Sequence, residues 1–188
     1  MYDEMLNKSG KKSNEVYRKL YSWLHDQNSS VLLKQSNKAE ELFRKVGITF
    51  NVYEDDKAEE RLIPFDLIPR IIEKKEWDFV KKGIAQRLKA LNLFLKDIYF
   101  DQKIIKDGVI PSKLINNNSA FKPQMCGFDP PGGIYIHVSG VDLIRTSKKN
   151  FYVLEDNLRV PSGSSYMIEN RSTMMHMFPE LFTKYNVK

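Results

Sequence analysis

The spacing of apolar residues predicts two helices at the start of the chain. Val16, Leu20 and Leu24, then Val31, Leu32, Leu42, Phe43 and Val46, recur at helical intervals across residues 12–46. The polar run from His25 to Ser30 interrupts them, and Gly47 is a plausible C-terminal cap. Ile48 to Tyr53 alternates and is β-branched or aromatic, which predicts a strand ending in a turn at Glu54-Asp55-Asp56. Pro64 and Pro69 bracket an extended segment. From Lys75 to Phe100 one stripe, Trp77, Val80, Ile84, Leu88, Leu91, Leu95 and Ile98, predicts a long helix with that face buried. Asp107-Gly108 and Asn116 to Asn118 are loop signals.

Beyond Gly132 the period changes to two. Gly133–Val138, Val141–Thr146 and Phe151–Asp156 are predicted strands, Pro161 to Ser165 a loop, and 166–177 a helix. The switch from helix period to strand period predicts an α+β or α/β architecture, with α+β and a small antiparallel sheet as the expectation. The expected division is a helical segment, 1–46, and a domain, 47–188.

Composition narrows the classes. The 188 residues are 41% hydrophobic and 29% charged, enough apolar residue for a core. No apolar run reaches the length of a membrane-spanning helix, and the polar start with Asp3 and Glu4 is unlike a signal peptide. One cysteine, Cys126, excludes an internal disulfide and a cysteine-rich zinc site. A soluble, cytoplasmic protein is the expectation. The net charge of +6 raises nucleic-acid binding, but the basic residues are spread thinly along the chain, which argues against it. His25, His137 and His176 lack Cys or His partners nearby, and His137 reads as a hydrogen-bonded sheet residue.

The last two strands carry the candidate chemistry. If Ser147 to Asn150 form the hairpin loop, Thr146 faces Phe151 and Asp142 lies directly opposite Glu155. Asn157, two residues on, shares the face of Glu155, and Asp156 points the other way. Two adjacent carboxylates repel, and a hard divalent cation with oxygen ligands would resolve the conflict. The alternative is an acid that faces solvent, or pairs with Arg145 or Arg159, with the register shifted.

The run Val153-Leu154-Glu155-Asp156-Asn157-Leu158-Arg159-Val160-Pro161-Ser162-Gly163, with Ser165-Tyr166 and Glu169-Asn170-Arg171, resembles the signature of circularly permuted ATP-grasp type 2 proteins, the glutathionylspermidine-synthase-like group. Tyr2 to Met5, Pro64 to Arg70, Gln86-Arg87, Ala90 to Asn92, Asp97 to Tyr99 and Gly140 to Arg145 extend the resemblance over nearly the whole chain.

The resemblance implies an ATP-dependent carboxylate–amine ligase acting through an acyl-phosphate, with ATP and Mg²⁺ or Mn²⁺ as cofactors. It assigns Asp142, Glu155 and Asn157 as metal ligands on strands 133–157. The loop 158–165, through Ser162, Gly163 and Ser164, would lie by the phosphates, and Arg159 and Arg171 would supply positive charge to the reacting groups. Substrates would be a small-molecule or peptide carboxylate and an amine. The resemblance is to the N-terminal part of a longer member, so the expectation is a truncated chain, inactive alone, that needs a second chain for the missing lobe. The competing expectation is a non-catalytic, small basic protein that binds nucleic acid or a protein partner.

Overall fold

A computed structural model describes residues 2–6, 15–54 and 57–187, with only the backbone described at 50–54 and 57–60. The helices and strands run in the order α1 (Glu15–His25), α2 (Ser29–Val46), β1 (Thr49–Glu54), β2 (Lys57–Leu62), α3 (Lys74–Tyr99), α4 (Lys103–Lys106), α5 (Ser112–Asn116), β3 (Gly140–Arg145), β4 (Phe151–Asn157), α6 (Ser162–Met177) and α7 (Pro179–Lys184). The strands form two separate two-stranded sheets, β1 with β2 and β3 with β4. The fold is α+β, as the sequence predicts.

The chain divides into two compact units. The first takes in residues up to Glu73, Leu143–Tyr152, and Pro161 onward. Its core joins Tyr17, Leu20 and Trp23 of α1 to Ala39 of α2, Met174 and Met177 of α6, and Leu181 of α7. Helices α1 and α2 therefore share a core with α6 and α7, across the boundary expected at residues 46 and 47. The Trp23 ring meets Phe178 edge-on, with centroids 5.1 Å apart.

Local signals explain the ends of α2. The Asn28 side chain accepts a hydrogen bond from the Ser30 N–H at 2.9 Å. Gly47, at φ 75°, turns the chain left-handed. There the Gly47 N–H reaches the Arg44 carbonyl at 3.3 Å and the Ile48 N–H the Phe43 carbonyl at 2.9 Å. Strand β1 falls where expected, and the residues expected to turn, Asp55 and Asp56, lie outside those described. Strand β2, antiparallel to β1 from Thr49↔Leu62 to Glu54↔Lys57, was not legible, because Lys57-Ala58-Glu59-Glu60 has no β-propensity.

The second unit comprises Lys74–Asp142 and Val153–Val160. Its long helix, α3, matches the prediction within a residue. The predicted stripe is only partly covered: Val80 and Ile98 are buried, at 7% and 5% exposure, whereas Trp77 is 48% exposed. Tyr99 stacks between Phe121 and Tyr135, at centroid distances of 5.2 and 6.2 Å. Asp97 stops α3 and starts α4, its carboxylate accepting the Lys103 and Ile104 N–H groups at 3.0 and 2.9 Å. Those two bonds, the Ile104 one foremost, hold the Asp97 carboxyl below the usual carboxylate range.

The predicted strand 133–138 is not a strand. Pro131–Gly133 form a single 3₁₀ turn, and Gly132 and Gly133 both take positive φ, 69° and 66°. The Tyr135 and Ile136 N–H groups, which a sheet would pair, instead donate to the Asn92 side-chain oxygen of α3 at 2.8 and 3.2 Å. His137 is accordingly exposed and outside any sheet.

Candidate metal centre

Strands β3 and β4 are joined by only five residues, so they pair as an antiparallel hairpin. Leu143–Arg145 and Phe151–Tyr152, at the turn, belong to the first unit. Gly140–Asp142 and Val153–Asn157, at the open end, belong to the second, and all three expected ligands are there.

The turn closes one residue tighter than expected. The Thr146 N–H donates to the Asn150 carbonyl at 3.1 Å. The Arg145 guanidinium lies 4.9 Å from the centre of the Phe151 ring. Residues 145 and 151 thus share a face beside the turn, where the expectation paired Thr146 with Phe151. Carried unchanged to the open end, that pairing sets Asp142 opposite Leu154 and away from Glu155, because a one-residue slip reverses the faces. Beyond the turn the exposure of β4 does not alternate regularly. Half-buried and exposed residues alternate from Phe151 to Leu154, but Leu154 and Glu155 are then both exposed, and Asp156 and Asn157 both half-buried.

Asp142 and Glu155 are both open to solvent. Neither makes an ion pair among the described residues, so the expected alternative of a pair with Arg145 or Arg159 does not arise; the other form of that alternative, an acid that faces solvent beside a shifted turn, is what the structure shows. Arg145 is turned to the other side: it is buried, donates to the Ser147 and Lys148 carbonyls at 3.2 and 2.7 Å, and meets Glu4 at 3.4 Å. The Asn157 amide donates to Glu155 Oε1 at 2.9 Å, which puts these two side chains together.

Asp156, between them, is held by Arg87 of α3. Arg87 Nε lies 2.8 and 2.9 Å from the two carboxylate oxygens and Nη2 lies 2.6 Å from one of them. This pairing lowers the Asp156 pKa and raises that of Arg87. Neither Arg87 nor Asn92 was assigned a role from sequence, although both lie in motifs that carry the resemblance. The usable signal was Arg87 lying off the apolar stripe while Asp156 alternates away from Glu155.

The other expected site residues are placed as follows. Arg159 is exposed in the second unit. Arg171, on α6 in the first unit, lies with its guanidinium 5.5 Å from the centre of the Phe182 ring. Ser162, Gly163 and Ser164 are not in a loop, as expected, but form the first turn of α6, which starts four residues early. The Ser164 N–H bonds to the Pro161 carbonyl at 3.1 Å and so begins the helical turn. Pro161 is the N-cap and no side chain caps the helix. A side chain at Gly163 would meet nothing within 4 Å, so the space beside this turn is open.

The donors at the open end are all hard oxygens, two carboxylates and an amide, and they fit Mg²⁺ or Mn²⁺ rather than a soft metal. Among the described residues no cluster of three or more His, Cys, Asp or Glu is disposed to hold a metal.

Residues 69–188 match the family model described as circularly permuted ATP-grasp type 2. The chain belongs to this family. It is similar to an uncharacterized protein of Synechocystis, 42% identical over 96% of the chain and 37% of that protein. An uncharacterized protein of Mycobacterium leprae is 44% identical over 100% of the chain and 32% of its own length. A Frankia alni protein named "Putative glutamate--cysteine ligase 2-3" is 34% identical over 96% of the chain and 20% of its own length. The chain thus spans about a third or less of these relatives. Among its described residues no helix is long and apolar enough to cross a membrane.

Proposed function

We propose that this chain is the metal-holding part of an ATP-dependent ligase that joins a carboxylate to an amine. The observation that carries the reading is the open end of the β3–β4 hairpin. There Asp142 and Glu155 are exposed carboxylates with no cationic partner among the described residues, and the Asn157 amide is drawn onto Glu155. Family membership supports it, as does the name of the Frankia relative, since joining glutamate to cysteine makes an amide from a carboxylate and an amine.

Asp142, Glu155 and the Asn157 amide oxygen would hold Mg²⁺ or Mn²⁺. The ion supplies charge neutralisation and orientation at nucleotide phosphates. Arg159 and Arg171 are the proposed cations for the substrate carboxylate and its acyl-phosphate, a task suited to the guanidinium fork. The first turn of α6 offers the backbone N–H groups of Ser162 and Gly163 to a phosphate.

With at most 37% of a relative's length present, turnover is proposed to require the remaining polypeptide, in the same chain or a second one. The working compartment is proposed to be the cytoplasm, where ATP is available.

The test is Mn²⁺ binding to residues 1–188, followed by electron paramagnetic resonance. Asp142→Asn and Glu155→Gln are expected to weaken binding while leaving the metal-free fold intact. Loss of stability in metal-free buffer with Mn²⁺ binding unchanged would make these acids structural and overturn the reading. An ATPase assay on the same chain is expected to show no enzymatic turnover, and robust turnover abolished by Glu155→Gln would refute the dependence on further polypeptide.

A further inference from the structure

Helix α3 holds β4 directly and also the segment that leads into β3. Asn92 accepts the N–H groups of Tyr135 and Ile136, on the segment that runs into β3 at Gly140. Arg87 holds Asp156, in the middle of the polar triplet of β4, with three bonds of 2.6 to 2.9 Å. The Asp156 side chain is 14% exposed and that of Arg87 is 45% exposed. Asp156 is therefore the least accessible part of the pair and the part that is immobilised.

Geometry gives this grip a consequence. A two-stranded ribbon is soft on its own and gains order only from what packs on it. The alternation of β4 breaks at Leu154–Glu155, so pleating alone does not dictate the faces of the residues that follow. The Arg87 fork fixes Asp156, and the Asn157 amide lies on Glu155 Oε1, so the side chains on either side of Asp156 come together while Asp156 itself is held to α3.

We infer that Arg87, acting through Asp156, is a positioning residue that sets the face on which Glu155 and Asn157 are presented to a divalent cation. This rests on the metal reading given under the proposed function. It assigns Asp156 to the support of the site and removes it from the ligands, and it gives α3 a task that its apolar stripe does not reveal.

The experiment measures Mn²⁺ affinity for the unaltered chain, Arg87→Gln, Asp156→Asn and the double variant, together with hydrogen exchange of the β4 amides. Each single change is expected to weaken Mn²⁺ binding by roughly 10-fold, the scale found when a partner that orients a metal ligand is removed. The double variant is expected to lose no more than either single one, because both act through one interaction. The β4 amides should exchange faster in all three. Arg87→Lys keeps the charge without the fork and should lose less. It is the variant to read if Arg87→Gln does not fold.

Unchanged affinity in Arg87→Gln, with binding still lost in Glu155→Gln, would overturn the positioning role and leave the metal reading standing. Binding abolished by Asp156→Asn but not by Arg87→Gln would make Asp156 a ligand and also overturn it. An unaltered chain that binds no Mn²⁺ would overturn the metal reading itself.

Discussion

Replacing Asn92 tests the account of why residues 133–138 are not a strand. The Asn92 side-chain oxygen accepts two backbone N–H groups, from Tyr135 at 2.8 Å and Ile136 at 3.2 Å, and its amide donates to the Leu88 carbonyl at 3.1 Å. Leucine at this position is close in size and equally compatible with a helix, but it accepts nothing. Asn92→Leu would leave two donors without a partner, one on buried Ile136 and one on half-buried Tyr135. A stranded buried donor costs about 1–3 kcal/mol, and the half-exposed one recovers some of that from water, so the sum is about 2–4 kcal/mol. At roughly 2–4 °C per kcal/mol for a chain of this size, Tm should fall by about 5–15 °C. Asn92→Asp keeps an acceptor for both N–H groups and loses only the bond to Leu88, so it should cost under about 1 kcal/mol at neutral pH. Circular dichroism melts give the totals, and exchange of the Tyr135 and Ile136 amides locates the loss. If Asn92→Leu melts with the unaltered chain and those amides stay protected, Asn92 does not hold this segment and the explanation fails.

Two further expectations concern the same helix. Ile98→Ala, at a position only 5% exposed, should cost about 2–5 kcal/mol in denaturant unfolding, whereas Trp77→Ala, at 48% exposure, should cost under about 1 kcal/mol; equal costs would restore the full stripe that the sequence suggests. Asp97 has its carboxyl pKa lowered in the fold, so its contribution to stability is present above the unfolded carboxylate value and is lost as pH falls through the folded one, from about pH 4 downward. Comparing Asp97→Asn with the unaltered chain between about pH 2 and 7 should show their stabilities converging at the acid end; a difference that does not vary with pH would exclude this cap as its source.

Periodicity alone determined α1, α2 and α3. The stripe from Val80 to Ile98 and the spacing of Leu20, Leu24 and the apolar residues of α2 are local properties, and Asn28 and Gly47 act within a turn of their own helix. The residue order Asp142, Glu155, Asn157 and its neighbours was equally legible, because a chemical signature is carried by linear spacing. What the sequence could not determine was who pairs with whom. A strand exists only with a partner: Gly133–Val138 alternates like a strand but gives its N–H groups to Asn92, while charged Lys57–Leu62 becomes a strand because β1 lies beside it. The closure of the hairpin turn was set by a single bond, from Thr146 to Asn150, which linear spacing did not indicate. The core shared by α1 and α7 likewise depends on contacts far apart in sequence. The Arg87–Asp156 pair shows this most directly, since 69 residues separate its partners and the place of each on its own element does not name the other.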